Sequence, residues 1–145
     1  MISRILVGID GSPSSTKALS WAAEIAAKWD AKLLILSVIP PLTPLIYMGP
    51  APMYIGEYDR VSRISKQKII DDAVSFVRGK FPGLMVETRI SKGRPSEVIQ
   101  QTVEEEDVDL IVLGSRGIGG VSGWLLGSTS SKVVNICEKP VLIIK

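Results

Sequence analysis

The chain has 145 residues, of which 46% are hydrophobic, and a formal net charge of +2 at pH 7. This length and apolar content predict a single domain over residues 1–145 with a sizeable core. The near balance of charge argues against nucleic acid as a partner. No apolar stretch is long enough to span a bilayer, since the run Leu33–Ile39 ends at Pro40, so we expect no membrane partner.

The residue counts also exclude several kinds of catalytic site. Histidine is absent, which excludes Ser-His-Asp and Cys-His nucleophile systems and the zinc-protease motifs that need imidazole. The one cysteine, Cys137, excludes an internal disulfide. We interpret it as a packing thiol on an apolar helix face, and not as a reactive group. This cysteine usage, with no signal-peptide pattern at Met1, predicts a cytoplasmic location.

The first third of the chain alternates strand and helix. Arg4–Asp10 predicts a first strand, and Ser12-Pro13 predicts an N-cap followed by proline at the first helical position. Lys32–Val38 is apolar on both faces, which is typical of a strand covered on both sides. The proline-rich segment Pro40–Gly56 predicts an irregular flap near the base or sugar of a ligand; packing on the sheet or on a second subunit is the alternative.

The same alternation continues to the carboxyl terminus. The predicted elements are a helix over Tyr58–Lys80, a half-exposed edge strand over Met85–Ile90, a helix over Arg94–Glu105, a strand over Leu110–Leu113, a helix over Ser128–Cys137 and a last strand over Pro140–Ile144. Five strands with intervening helices predict an α/β fold: one doubly wound, Rossmann-like parallel sheet of order 3-2-1-4-5, with helices on both faces.

A glycine-rich loop joins the fourth strand to the fourth helix. It reads Gly114-Ser115-Arg116-Gly117, then nine residues, then Gly127-Ser128-Thr129. Glycines let a backbone approach an anion closely and adopt positive φ, and a helix start offers unpaired N–H groups. The predicted strand order places this loop at the topological switch point, where open α/β sheets bind ligands. We therefore predict a phosphate site; a loop without a ligand is the alternative.

Individual residues around the switch point allow more than one role. Asp10 is expected to bond a ribose or to assist a metal, or else to cap a turn. Val38 ends the second strand, where backbone groups are free to bond a base edge, or else belongs to the core. Arg116 pairs with phosphate or is a solvated loop residue. Ser128 and Thr129 donate to phosphate or cap the fourth helix. The predicted binding set is Ile9, Asp10, Val38, Gly114, Ser115, Arg116, Gly117, Gly127, Ser128 and Thr129.

These segments together resemble the universal stress protein family, in its ATP-binding branch. Ile5–Ser14 is similar to the family's opening strand and turn, the Gly-x2-Gly-x9-Gly-Ser spacing to its ATP loop, and Lys139–Ile144 to its closing strand. The resemblance implies an ATP pocket in which Asp10 and Val38 hold the nucleoside and the loop holds the phosphates. The implied cofactor is ATP with Mg²⁺ or Mn²⁺.

The last strand predicts an interface with a second copy. Val141–Ile144 forms a sheet edge in the predicted order, and its four residues are large and apolar, without proline or charge. An uncovered edge of this kind is a template for pairing, and two copies meeting antiparallel would pair both edges. We expect a homodimer, as the resemblance also implies; a monomer whose edge is shielded by the fourth helix and the flap is the alternative. A further protein partner is left open.

The expected function is that of an ATP-binding regulatory protein of the stress response. No residue is assigned a catalytic role. At most the chain is a slow ATPase, because no second carboxylate is placed near the γ-phosphate and efficient hydrolysis needs a positioned water and strong charge neutralisation. A phosphotransferase and a nucleotide-free interaction module are the remaining alternatives.

Overall fold

The computed structural model describes residues 1–42, 55–117 and 126–145. Nine elements follow one another along these residues. They are β1 (Arg4–Gly8), α1 (Pro13–Trp29), β2 (Lys32–Ile39), α2 (Ile55–Lys80), β3 (Val86–Lys92), α3 (Pro95–Glu105), β4 (Leu110–Gly114), α4 (Ser128–Ile136) and β5 (Val141–Ile144).

The strands form one parallel sheet in the order β3-β2-β1-β4-β5, which confirms the predicted fold class. In the register, Val7 lies between Ile35 of β2 and Val112 of β4. The first and fourth strands are therefore neighbours, and their carboxyl ends open at the same edge of the sheet. This is the switch point that the sequence predicts.

Helices cover both faces of the sheet, as predicted. One buried cluster joins the sheet to α1 and α2 and includes Ala22 and Val77. A second cluster, which includes Ile99 and Val133, joins the other face to α3 and α4. Leu33–Leu36 of β2 contribute alternately to the two clusters, which explains why this strand is apolar on both faces.

The start of α1 follows the predicted capping pattern. The Ser12 hydroxyl accepts a hydrogen bond from the N–H of Ser15 at 3.2 Å, and Pro13 occupies the first helical position. Here a proline costs no hydrogen bond, because the first N–H groups of a helix have no partner within it. α1 is thus anchored directly after the turn that ends β1.

Several predicted boundaries differ from the observed ones. β1 ends at Gly8 instead of Asp10, β2 continues one residue past Val38, and α2 begins at Ile55. Gly56 therefore belongs to a helix and not to the predicted flap, because helical pairing starts before the apolar periodicity becomes visible. The rest of the flap prediction falls mostly on residues 43–54, which lie outside the described residues.

Cys137 also differs in detail from its prediction. α4 ends at Ile136, so the cysteine is the C-cap residue and not part of the helix. Its side chain is half-buried against the second cluster. Burial raises the pKa of the Cys137 thiol, with a further contribution from the negative charge of Glu104. Within the part of the chain that the structure describes, no helix is both long and apolar enough to cross a membrane.

The backbone of β5 divides its hydrogen-bonding groups between two sides. The C=O of Pro140 accepts from Ile111 at 3.0 Å, and the C=O of Ile144 accepts from Ser115 at 2.8 Å. Even-numbered residues of β5 thus face β4. Because the groups of a parallel strand alternate in direction, Val141 and Ile143 direct theirs away from the sheet.

Candidate functional site

A cavity of about 330 Å³ lies at the carboxyl ends of β1, β2 and β4, between the starts of α3 and α4. Its size falls within the range of small-molecule pockets. The described residues that line it are Gly8, Ile9, Asp10, Ser15, Leu36, Val38, Pro95, Ile99, Leu113, Gly114, Arg116, Gly117, Gly127, Ser128, Thr129 and Ser130. Apolar side chains form one wall, while the glycines and hydroxyls of the β4–α4 connection form another.

The turn after β1 brings a carboxylate to this cavity. One oxygen of Asp10, Oδ1, accepts a hydrogen bond from the N–H of Ser12 at 2.9 Å, and Gly11 adopts a φ of 84°. A side-chain bond to the backbone two residues later is the usual way in which aspartate fixes a turn. The other oxygen, Oδ2, lies 3.0 Å from the position that a Cβ on Gly117 would occupy. Asp10 therefore serves the turn with one oxygen and faces the glycine loop with the other.

The end of β4 is held between the first turns of α1 and α4. A Cβ on Gly114 would overlap the Ser14 hydroxyl and would lie 2.7 Å from the Ser14 carbonyl carbon. On the other side, the hydroxyl of Ser130 donates to the C=O of Gly114 at 2.7 Å. Gly114 is thus required because the start of α1 approaches the strand closely, a reason that does not depend on any ligand.

The first turn of α1 also holds the backbone of the residues directly after β4. The Ser14 hydroxyl donates to the C=O of Arg116 at 2.5 Å and accepts from the N–H of Arg116 at 3.3 Å. The two ends of the glycine loop are joined as well, since the N–H of Gly127 donates to the C=O of Ser115 at 2.6 Å. A Cβ on Gly127 would lie 3.3 Å from the Arg116 Cα. Close approach of backbones explains Gly114 and Gly127; among the described glycines, only Gly11 and Gly93 have positive φ.

The first turn of α4 lies beside the cavity, and its first N–H groups have no hydrogen-bond partner among the described residues. Gly127 is its N-cap residue, and no side chain within 1–42, 55–117 or 126–145 caps the helix, in contrast to α1. The alternative that Ser128 or Thr129 caps α4 is therefore wrong: both belong to the first helical turn, and both line the cavity. Uncapped N–H groups and the positive end of the helix dipole favour an anion at this position.

The carboxyl end of β2 contributes backbone groups to the cavity. The C=O of Leu36 accepts from the N–H of Ile9, so residue 36 faces β1, whereas the C=O of Ile39 accepts from Gly93 on the β3 side. By the alternation of a parallel strand, the N–H and C=O of Val38 face the β1 side, beyond the end of β1. Among the described residues, no backbone hydrogen bond joins Val38 to the segment that follows β1. The half-buried Val38 lines the cavity.

The structure brings the predicted binding set together around this cavity, with one exception. Ser115 does not line it: its side chain is buried and its backbone joins β5 to Gly127. Sequence reasoning missed Pro95 and Ile99 of α3, and the hydroxyls of Ser14 and Ser130. A run of hydroxyls in the first turns of α1 and α4 was a signal for the serines, although such residues are common at helix starts.

The described residues contain no group of three His, Cys, Asp or Glu side chains that could hold a metal ion. Asp10 is the carboxylate among the residues that line the cavity, and Arg116 is the guanidinium.

Comparison with known proteins places these features in a family. The model of the universal stress protein family matches residues 1–145. Among curated relatives, universal stress protein YxiE from Bacillus subtilis is 36% identical over 152 aligned positions, which cover 100% of both chains. Four mycobacterial universal stress proteins are longer, and the chain spans 47% of their length.

Solved structures show the same fold. Universal stress protein UspA from Lactobacillus plantarum superposes with a TM-score of 0.82 at 25% identity, over 99% of this chain and 98% of that one. A universal stress protein in complex with cAMP superposes with a TM-score of 0.73 at 27% identity, over 99% of this chain and 96% of that one.

Proposed function

Because the chain belongs to the universal stress protein family, we propose that it is a regulatory protein that binds ATP in the cavity at the switch point. In this proposal residues 1–145 form one nucleotide-binding domain. The single observation that carries it is the arrangement of complementary groups around one cavity: the backbone groups of Val38, the Asp10 carboxylate and the start of α4. The Val38 groups and the first N–H groups of α4 have no partner in the part of the chain that the structure describes.

Each group suits a different part of a nucleotide. The N–H and C=O of Val38 suit a heterocycle edge that offers an acceptor beside a donor. The Asp10 carboxylate suits ribose hydroxyls, which are hydrogen-bond donors. The N–H groups at the start of α4, with the hydroxyls of Ser128 and Thr129 and the Arg116 guanidinium, suit phosphate oxygens. The related protein in complex with cAMP supports an adenine nucleotide as the ligand class.

A divalent cation, Mg²⁺ or Mn²⁺, fits this arrangement on the triphosphate. Hard cations prefer oxygen ligands, which the phosphate groups supply. The cation would neutralise phosphate charge. Since Asp10 is the carboxylate lining the described part of the cavity, we propose binding as the main activity and hydrolysis, if present, as slow.

The proposal includes a homodimer joined through β5 and a cytoplasmic location. Val141 and Ile143 direct their backbone groups away from the sheet, and the exposed apolar residues Val134 and Ile136 of α4 lie close in sequence to this edge. The single cysteine suits a reducing compartment.

Calorimetry on the purified full chain tests the ligand assignment. We expect ATP to bind, with an affinity that rises when Mg²⁺ is added, and we expect mass spectrometry to find an adenine nucleotide retained through mild purification. Steady-state phosphate release separates a binding protein from an ATPase. Failure of wild-type protein to bind ATP with either Mg²⁺ or Mn²⁺ would refute the proposal.

An Asp10→Asn variant tests the nucleoside end of the site. The amide oxygen can still accept from the Ser12 N–H and so preserve the turn, but the charge facing the loop is lost. We expect weaker binding of ATP and unchanged binding of inorganic tripolyphosphate. Equal loss for both ligands would place Asp10 at the phosphates instead of the sugar.

A further inference from the structure

Ser37 is a polar side chain fully buried in the middle of an apolar strand. It has 0% exposure, and its neighbours along β2 are Leu36 and Val38. Its hydroxyl donates to the C=O of Ile9 at 2.9 Å. A buried hydroxyl is costly unless it is paired, so this bond explains how the serine is accommodated. It does not explain why a hydroxyl is there at all, since an apolar residue would fill the same place in the core.

The bond matters because of the group that it occupies. In a regular parallel ladder, the C=O of Ile9 would accept from the N–H of Val38, two residues after the Leu36–Ile9 bond. That bond is not formed among the described residues; the Ser37 hydroxyl bonds the Ile9 carbonyl instead. The backbone hydrogen bonding along β1 and β2 therefore ends at the Ile9–Leu36 bond, one bond earlier than in a regular ladder. The N–H of Val38 remains directed at the cavity.

We infer that Ser37 is a positioning residue for the base of the bound nucleotide: by occupying the Ile9 carbonyl, its hydroxyl keeps the N–H and C=O of Val38 available to an adenine edge. The inference rests on the proposed function and deepens it. Adenine presents its N6 amino donor beside a ring-nitrogen acceptor, which complements the C=O and N–H of one residue. Guanine presents the acceptor O6 in the place of that amino group, so it opposes the Val38 carbonyl.

Replacing Ser37 with alanine tests this role. Without the hydroxyl, the buried Ile9 carbonyl needs another donor, and the nearest in the ladder pattern is the Val38 N–H. We expect ATP affinity to fall roughly fivefold to tenfold, the factor associated with one net hydrogen bond. The preference for ATP over GTP should fall with it, while tripolyphosphate affinity stays at the wild-type value. Ser37→Thr, which retains the hydroxyl, should restore the preference.

A matched variant separates positioning from general damage to the core. Ile35→Val removes one methylene from the same strand and the same face, also at 0% exposure, but leaves the Ser37–Ile9 bond in place. We expect it to lower the melting temperature and to leave the ATP-to-GTP preference unchanged. An equal loss of preference in Ile35→Val and Ser37→Ala would mean that any core defect disturbs the site, and would overturn the inference.

Amide hydrogen exchange gives a readout that needs no ligand. In wild-type protein the Val38 amide should exchange rapidly, whereas in Ser37→Ala it should become protected because it now bonds Ile9. Unchanged Val38 exchange in a folded Ser37→Ala protein would overturn the inference even if ATP binds well. If wild-type protein binds no ATP, the proposed function fails while the exchange result still decides whether Ser37 controls the Val38 backbone. Equal wild-type affinity for ATP and GTP would refute base selection and leave ATP binding intact.

Discussion

At the scale of single residues, the glycines of this chain differ in what they do, and two of them make a matched pair. A Cβ on Gly114 would meet backbone atoms of Ser14, whereas a Cβ on Gly79, near the end of α2, would meet nothing within 4 Å. We expect Gly114→Ala to lower the free energy of unfolding by about 1 to 3 kcal/mol through overpacking. Gly79→Ala should raise it by up to about 1 kcal/mol through helix propensity.

Urea denaturation of the two glycine variants checks this prediction. Opposite shifts of the midpoint are expected, with the slope of the transition unchanged. A Gly114→Ala protein as stable as wild type would show that there is room for a Cβ between Gly114 and Ser14 of α1. In that case, the requirement for glycine at this position would have to come from a ligand.

Asp109 predicts a pH dependence of stability. Its Oδ2 accepts from the backbone N–H of Ser3, the Ser3 hydroxyl and the N–H of Arg4, at 2.8, 2.8 and 3.0 Å. These bonds, the Ser3 backbone first, hold the pKa of Asp109 below its usual value of 3.8. A lowered pKa in the folded state means that the stabilisation is present above the unfolded pKa and is lost as the pH falls through the folded one.

The measurement is the free energy of unfolding of wild type and Asp109→Asn as a function of pH. Wild type should be the more stable of the two above pH 4, and the difference should shrink as the solution becomes more acidic. A difference that is independent of pH down to strong acid would mean that the carboxylate charge contributes nothing to these bonds.

At the scale of elements, the uncapped start of α4 separates ligand binding from stability. No acidic residue occupies its first turn, and Ser128 is exposed beside the cavity. An aspartate there would interact favourably with the helix dipole, by about 0.3 to 1 kcal/mol, but would repel phosphate. We therefore expect Ser128→Asp to raise the melting temperature slightly and to weaken ATP binding strongly, as measured by calorimetry.

The control for Ser128→Asp places the same charge at the other end of the same helix. Asn135 is exposed in the last turn of α4, where a negative charge opposes the dipole. Asn135→Asp should lower stability slightly and leave ATP affinity unchanged. If both variants bind ATP as wild type does, the phosphates do not lie at the start of α4.

At the scale of the whole molecule, the alternation within β5 predicts how the proposed dimer can be broken without unfolding the protomer. Ile143 directs its N–H away from the sheet, whereas Leu142 directs its N–H towards β4. Proline lacks this donor and is tolerated at the outer side of an edge strand. We expect Ile143→Pro to sediment as a folded monomer that binds ATP, and Leu142→Pro to lose stability.

Two results would contradict the dimer prediction. One is a wild-type protein that sediments as a monomer at micromolar concentration. The other is an Ile143→Pro protein that remains a dimer while it is folded, because the second copy would then contact another surface.

The arrangement of the whole sheet was predictable because it follows from alternating periodicity and from one half-exposed strand. Most of the ten-residue predicted binding set lies around one cavity. This too was predictable, because the ends of strands at a switch point lie at the same edge of the sheet. What could not be predicted depends on contacts between segments distant in sequence: Ser14 on Arg116, Ser130 on Gly114, and Pro95 of α3 beside the cavity. Glycine is needed at positions 114 and 127 partly because other backbone segments approach them closely. The sequence alone cannot distinguish this requirement from anion binding.

The bonds between Ser14 and Arg116 have an evolutionary consequence. They use only the main chain of residue 116, so the position of the backbone directly after β4 does not depend on which side chain that residue carries. Substitutions at position 116 can therefore alter the preferred anion with little cost to folding, while a change at Ser14 disturbs the loop for every ligand. We therefore expect position 116 to vary among related chains that bind different anions. We expect Ser14, which holds the main chain of residue 116, to be retained in all of them.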